Sequence, residues 1–169
     1  SEPGQGSRFW LHLPLTAAAA PTKSFEKHPQ LLQSADRPWT FLVADDHPVN
    51  RLLLKQVLKN AWPHSVVLEA VDGQKSLDVL HAQTVDMVFM DMVMPEMDGI
   101  EATQQIRQSL APPLCDVPVV ILTANVNTQD HQRCQQAGVD GLMVKPFDRI
   151  KLCALLEEQL LSSSTFLQN

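Results

Sequence analysis

Three observations on this 169-residue sequence predict an α/β fold built on a parallel sheet. Five short apolar runs recur, at Phe41–Asp45, Ser65–Ala70, Met87–Asp91, Val117–Thr123 and Gly141–Val144. The segments between them carry apolar residues at helical spacing. Four of the runs end on polar residues unsuited to an apolar core: Asp45-Asp46, Asp91, Thr123 and Lys145. Strand then helix, five times over, requires right-handed crossovers that place helices on both faces of the sheet. Runs such as Val88-Phe89-Met90 are apolar at successive positions, as strands covered on both sides must be.

Residues 16–38 combine an Ala tract, Pro21, Pro29 and Pro38 with scattered polar residues and no sustained period, so they read as a linker. The folded domain starts near Trp39. After the first run, Pro48 suits a first helical turn, and Leu53/Val57 and Leu54/Leu58 fall at i, i+4. Helices are predicted next at Gln74–Ala82 and Ile100–Leu110, the latter after a loop, Met94-Pro95-Glu96-Met97, and an Asp98-Gly99 turn. A further helix spans Asn127–Ala137 and is ended by Gly138, and a last one covers Arg149–Leu161. Periodicity leaves the strand order open.

Composition narrows the function. An apolar content of 44% supports a sizeable core in one domain. Residues 1–38 hold four basic and three acidic residues, leaving nine basic and sixteen acidic beyond, a net charge of −7. An acidic domain is a poor match for a phosphate backbone, so no nucleic-acid partner is expected. Cys115, Cys134 and Cys153 form no C-x-x-C pair and are odd in number, which fits a reducing cytoplasm rather than a disulfide framework or a zinc site. His12 and Pro14 interrupt the apolar stretch 9–20, which argues against a secretory leader, and no run reaches the roughly 18 apolar residues of a membrane span. A cytoplasmic fragment without membrane contact is expected, from a parent that can still be anchored in the inner membrane.

In a parallel sheet all the polar strand ends project at one edge, where open α/β sheets place their ligands. Asp45, Asp46 and Asp91 would repel one another there, and a hard divalent cation with oxygen ligands, Mg²⁺ by preference, relieves that. A metal-bound carboxylate can act as a nucleophile toward phosphorus, with Asp91 the best candidate. Lys145 supplies a fixed charge for a phosphoryl oxygen and Thr123 a hydroxyl donor. Taken singly, these residues have plainer readings. Asp45-Asp46 can cap the helix at Pro48, Thr123 can cap the next helix, and Lys145 can be a surface lysine. Independent caps, however, have no reason to gather at one sheet edge.

Four motifs in order, Leu42-Val43-Ala44-Asp45-Asp46, Met90-Asp91-Met92-Val93-Met94-Pro95-Glu96-Met97-Asp98-Gly99, Leu122-Thr123-Ala124-Asn125 and Val144-Lys145-Pro146-Phe147, give residues 39–162 a resemblance to the receiver domain of two-component signalling. The resemblance implies a doubly wound, five-stranded, flavodoxin-like fold with Asp91 as phosphoacceptor. It also implies Mg²⁺ held by Asp46, Asp91 and the Val93 main-chain carbonyl, Asp45 assisting through water, and switch and phosphate-contact roles for Thr123 and Lys145. Such a fragment acquires and loses phosphate at Asp91 without a kinase core. Asp45-Asp46-His47-Pro48-Val49-Asn50-Arg51 resembles receivers attached to hybrid sensor histidine kinases. Gly4-Gln5-Gly6-Ser7-Arg8-Phe9-Trp10-Leu11-His12-Leu13-Pro14 resembles the final glycine box and last strand of a histidine-kinase ATP-binding domain, which implies that residues 1–15 are its remnant; residues 163–169 are expected to be a tail. The sequence departs from the family at Leu142, where an aromatic switch residue is usual.

The implied partners are the histidine kinase core and a histidine phosphotransfer domain, with a further regulated protein as an added role. Leu52, Leu53, Leu54, Val57 and Leu58 make a stripe wider than one buried face needs, and Leu53, Leu54, Val57 and Leu58 are the candidate docking residues. The alternative is that all of them are core. Two rival functions remain: a protein-binding module that works unphosphorylated, and an aspartyl-phosphate phosphohydrolase. Against the latter, Val93 stands where such enzymes carry a second aspartate.

Overall fold

The computed structural model describes residues 38–125, 127–147 and 150–156. Within them the chain alternates β1 (Thr40–Ala44), α1 (Pro48–Ala61), β2 (Val66–Ala70), α2 (Gly73–Ala82), β3 (Met87–Asp91), α3 (Gly99–Ser109), β4 (Val119–Thr123), α4 (Thr128–Ala137) and β5 (Gly141–Val144). Residues 150–156 are helical and are labelled α5. The five strands form one parallel sheet in the order β2-β1-β3-β4-β5, the doubly wound arrangement expected. Element ends within the described residues lie within one or two residues of those read from sequence, and the predicted end of the last helix at Leu161 lies outside them; the largest difference is at β4, where a 3-10 turn at Leu114–Asp116 delays the strand to Val119. The readings for 1–15, for 16–37 of the linker and for 163–169 lie outside the described residues.

Alternation along each strand sorts the core into two layers. Leu42, Ala44, Val88, Met90, Val119 and Ile121 point to one face and pack with Leu77 and Leu80 of α2, Ile100 and Ile106 of α3, and Cys134 and Ala137 of α4. Phe41, Val43, Met87, Phe89, Val120 and Leu122 point to the other, against Leu54, Leu58 and Trp62 after α1 and Leu152 and Leu156 of α5. Phe41 makes edge contacts with Trp62 and Phe89, at centroid distances of 5.8 and 6.1 Å. With both faces covered, every residue of β3 and β4 is buried, which is why these strands read as unbroken apolar runs.

The α1 stripe therefore divides. Leu54 and Leu58 are fully buried, so their assignment to a docking surface is corrected: both belong to the core. Val49, Leu52 and Leu53 are exposed on the same helix, and Val57 is half-buried. An i, i+4 pair fixes the inward face, and the residues one and two positions before it fall outward.

Caps set the helix ends. Asp72, Asp98 and Asn127 accept hydrogen bonds from the backbone N–H three residues on, and Gly138 closes α4 in the left-handed conformation at φ 78°. Away from the strand ends, Arg107 ties several elements together. Its guanidinium donates to the carbonyls of Cys115, Val117 and Gly138 and pairs with Asp140 Oδ2 at 2.6 Å, an oxygen that also accepts from Val119 N. Among the described residues no helix is long and apolar enough to cross a membrane.

Candidate functional site

Strand register brings the predicted polar residues together. Ala44 pairs with Met90 and Asp91 with Leu122, so Asp45 follows β1 level with Asp91. Thr123 pairs with Val144, and Lys145 lies just beyond. Its side chain reaches back across the end of β4, and Nζ sits 2.6 Å from Asp45 Oδ2 and 2.8 Å from Asp91 Oδ2. Asp45 is 1% exposed and Asp91 9%, whereas Asp46 is exposed. One carboxylate oxygen from each of Asp45, Asp46 and Asp91 lies within 4.8 Å of the others.

The plainer readings of these residues do not hold. His47, not either aspartate, is the N-cap residue of α1. Asn127, not Thr123, caps α4. Asp45 Oδ1 instead accepts from His47 N at 2.9 Å and from Asn50 Nδ2 at 3.1 Å, which fixes its carboxylate while Oδ2 meets Lys145. The Thr123 hydroxyl donates to the Asn125 carbonyl at 2.6 Å, so it stands at the site edge tied to its own loop. Leu142 is half-buried against the α2–α4 layer of the core.

Three carboxylates and one ammonium leave a net charge of −2 in a partly desolvated setting. Burial raises the Asp91 pKa above the ordinary carboxylate value; the Lys145 hydrogen bond and charge oppose this, repulsion from Asp45 adds to it, and a hydrogen bond from the Val93 backbone opposes it again. Burial acts against the Lys145 ammonium, but its hydrogen bonds to Asp45 and Asp91 outweigh that and raise its pKa. Both directions follow from one cation shared between two buried anions. The site is short of positive charge, and its free donor atoms are hard oxygens, the set that a divalent cation of the Mg²⁺ or Ca²⁺ kind takes.

Two residues passed over by sequence reasoning shape this edge. Gly99, read as part of a turn, is the first residue of α3, and its N–H donates to Met92 O at 3.1 Å. A Cβ there would lie 3.0 Å from the Asp91 carbonyl carbon and well inside contact with its oxygen, so glycine is required by close approach rather than by an unusual φ. Arg51, which carried no assigned role, donates from one nitrogen to the carbonyls of Asp45 and Asp46 at 2.7 and 3.2 Å. The only sequence signal for either was its place inside a motif.

A parallel five-stranded sheet of this order, with acidic residues after β1 and at the end of β3 and a lysine after β5, defines the receiver class of α/β signalling domain. The chain belongs to the response regulator receiver domain family, whose sequence model matches residues 41–157. Among curated relatives, it is 30% identical to the sensory/regulatory protein RpfC of Xanthomonas campestris over 94% of this chain and 25% of that protein. It is 43% identical to the sensor histidine kinase RcsC of Salmonella typhimurium over 62% of this chain and 10% of that one. The chain thus spans about a quarter or less of the length of these two relatives. Among solved structures, the receiver domain of the sensor histidine kinase PA1611 of Pseudomonas aeruginosa, which has a magnesium ion coordinated in its active-site cleft, is 30% identical with a TM-score of 0.65, over 73% of this chain and 98% of that one.

Proposed function

We propose that this receiver domain takes a phosphoryl group from a phosphohistidine onto Asp91 and relays it within a hybrid sensor kinase system. The observation that supports this best is the placement of the Asp91 carboxylate at the sheet edge, within 2.8 Å of the Lys145 ammonium and beside Asp45 and Asp46. An Asp91 oxygen attacks phosphorus, the P–O bond forms as the P–N bond breaks, and the leaving imidazole nitrogen keeps the electron pair and takes up a proton from water. Lys145 is placed to follow a phosphoryl oxygen as it arrives, and the Thr123 hydroxyl reaches another once it gives up the Asn125 carbonyl. Asp46, Asp91 and the Val93 carbonyl would hold Mg²⁺, with Asp45 assisting through water. The bound cation supplies neutralisation of charge on the transferring group.

A hybrid-kinase origin is supported by the match to RpfC, which at 94% of the chain extends beyond residues 41–157. The partners that fit are a histidine kinase core and a histidine phosphotransfer domain. Val49, Leu52 and Leu53 on α1 offer them an exposed apolar face next to the site, with Val57 at its margin.

Intact mass after incubation with Mg²⁺ and acetyl phosphate tests the proposal. Wild type gains one phosphoryl group and Asp91→Asn gains none. Donor turnover without mass gain would support a phosphohydrolase instead. Neither mass gain nor turnover, with partner binding retained, would support a binding module.

A further inference from the structure

We infer that Arg51 is a positioning residue for the cation site, acting through the main chain of Asp45 and Asp46; the inference rests on the reading of Asp45, Asp46 and Asp91 as that site. Asp46 follows the end of β1 and is exposed, and among the described residues no side chain donates to its carboxylate. Its aim toward Asp45 and Asp91 therefore has to be fixed by the backbone. Arg51 does this from the first turns of α1. Its chain folds back over the helix start, and one guanidinium nitrogen meets both carbonyls, at 2.7 Å for Asp45 and 3.2 Å for Asp46. Bonds to two successive carbonyls restrain the peptide planes on either side of Asp46, and with them the direction of its Cα–Cβ bond.

The other end of the guanidinium is anchored on the neighbouring strand. Arg51 Nε lies 3.3 Å from Glu69 Oε2 of β2, and Lys55 Nζ holds the second Glu69 oxygen at 2.7 Å. The Lys55 hydrogen bond, with help from Arg51, outweighs burial and holds the Glu69 pKa below the ordinary carboxylate value. Two features suit a support for a cation site rather than a charge partner within it. Arg51 takes the carbonyls and leaves the carboxylate oxygens of Asp45 and Asp46 to other partners, and its own charge is matched by Glu69, which limits repulsion of an incoming cation. The arginine side chain is only 14% exposed, so this geometry is held by packing as well as by charge. A lysine cannot reproduce it, because the planar fork is needed to reach two carbonyls and a carboxylate at once.

Calorimetric Mg²⁺ titration of the whole 169-residue chain tests this, with Arg51→Gln, Arg51→Lys, Glu69→Gln and Asp46→Asn beside wild type. Supports of metal ligands typically change affinity by about 10–100-fold, so Arg51→Gln should raise the Mg²⁺ Kd by roughly tenfold, with Arg51→Lys and Glu69→Gln in between. The rate of phosphorylation by acetyl phosphate should need more Mg²⁺ for half-saturation in Arg51→Gln, while its plateau stays within about twofold of wild type. A wild-type Kd in Arg51→Gln with a lowered Tm would make Arg51 merely structural and overturn the inference, leaving the cation site intact. If that variant does not fold, wild-type Kd values in both Arg51→Lys and Glu69→Gln overturn it equally. Absence of saturable Mg²⁺ binding in wild type, or an unchanged Kd in Asp46→Asn, would overturn the cation-site reading and this inference with it.

Discussion

Replacing Gly99 by alanine tests how tightly the phosphoacceptor is held. The new methyl would stand 3.0 Å from the Asp91 carbonyl carbon and 3.2 Å from Ile121 Cδ1, and closer still to the Asp91 oxygen. Carbon atoms rest about 3.5–4.0 Å apart, and the still closer Asp91 oxygen sets the larger demand, so α3 and the end of β3 must separate by about 1 Å or more. Neither neighbour yields easily, since one is backbone and the other a buried branched side chain. Overpacking of this kind costs about 1–3 kcal/mol, and the helix preference of alanine over glycine returns about 0.5–1. A net loss of about 1 kcal/mol lowers the Tm of a domain of this size by roughly 3–5 °C. Circular dichroism melts and urea titration read that loss, and acetyl phosphate labelling reads the displacement of Asp91 as slower phosphorylation. Gly138→Ala is the control: its cost, about 1 kcal/mol or more, comes from φ 78° and from the Arg107 side chain 3.2 Å away, at the far end of the sheet, and should leave the phosphorylation rate unchanged. A Gly99→Ala protein with the wild-type Tm and labelling rate would refute the close approach and the argument built on it.

Two further perturbations separate charge and packing. Lys145→Gln leaves Asp45 and Asp91 without their shared cation, and stability in chelator should fall by about 2–3 kcal/mol, below the 3–5 typical of a broken buried pair because Lys145 is 19% exposed. Mg²⁺ should restore part of it. Because the Lys145 pKa is raised above 10.5, its pairing is fully present below that value and lost only as pH rises through the raised one; toward acid the difference should shrink as the Asp91 carboxyl, whose pKa burial raises, takes up a proton. Urea titration at two pH values checks both points. Leu54→Ala should cost about 2–5 kcal/mol through the cavity it opens, whereas Leu52→Ser should change stability by less than about 0.5 kcal/mol yet slow phosphate exchange with a phosphotransfer partner. Equal effects of the two on stability would contradict the division of α1.

Much of this was readable from the residues because several signals agreed. Successive apolar positions in Val88-Phe89-Met90 announced a strand covered on both faces, and the two core layers are that statement in three dimensions. Pro48 and Gly138 marked a helix start and a helix end where the chain places them. Polar residues closing apolar runs located the site, because a parallel sheet sends all its strand ends to one edge. Strand order was not readable: β1 pairs with β2 and β3 through contacts far apart in sequence, and no local period encodes that choice. The α1 stripe was over-read for a related reason, since five apolar residues within seven positions do not say which face the sheet will cover. Arg51 and Gly99 stayed hidden because their roles are toward carbonyl groups, which every residue has and no residue letter reveals.

The Arg107 cluster gives α4 two unlike ends. Its C-terminal end, at Gly138, is bolted through one guanidinium to the turn before β4 and to Asp140 on the approach to β5, whose carboxylate also accepts from Val119 N at the start of β4. Its N-terminal end, at Thr128, lies on the side of the sheet where Thr123 and Asp91 are. A rod fixed at one end moves least there and most at the other. Displacing α4 at its C-terminal end therefore means breaking the Arg107 bonds, whereas along Thr128–His131 no side-chain bond to another element stands in the way among the described residues.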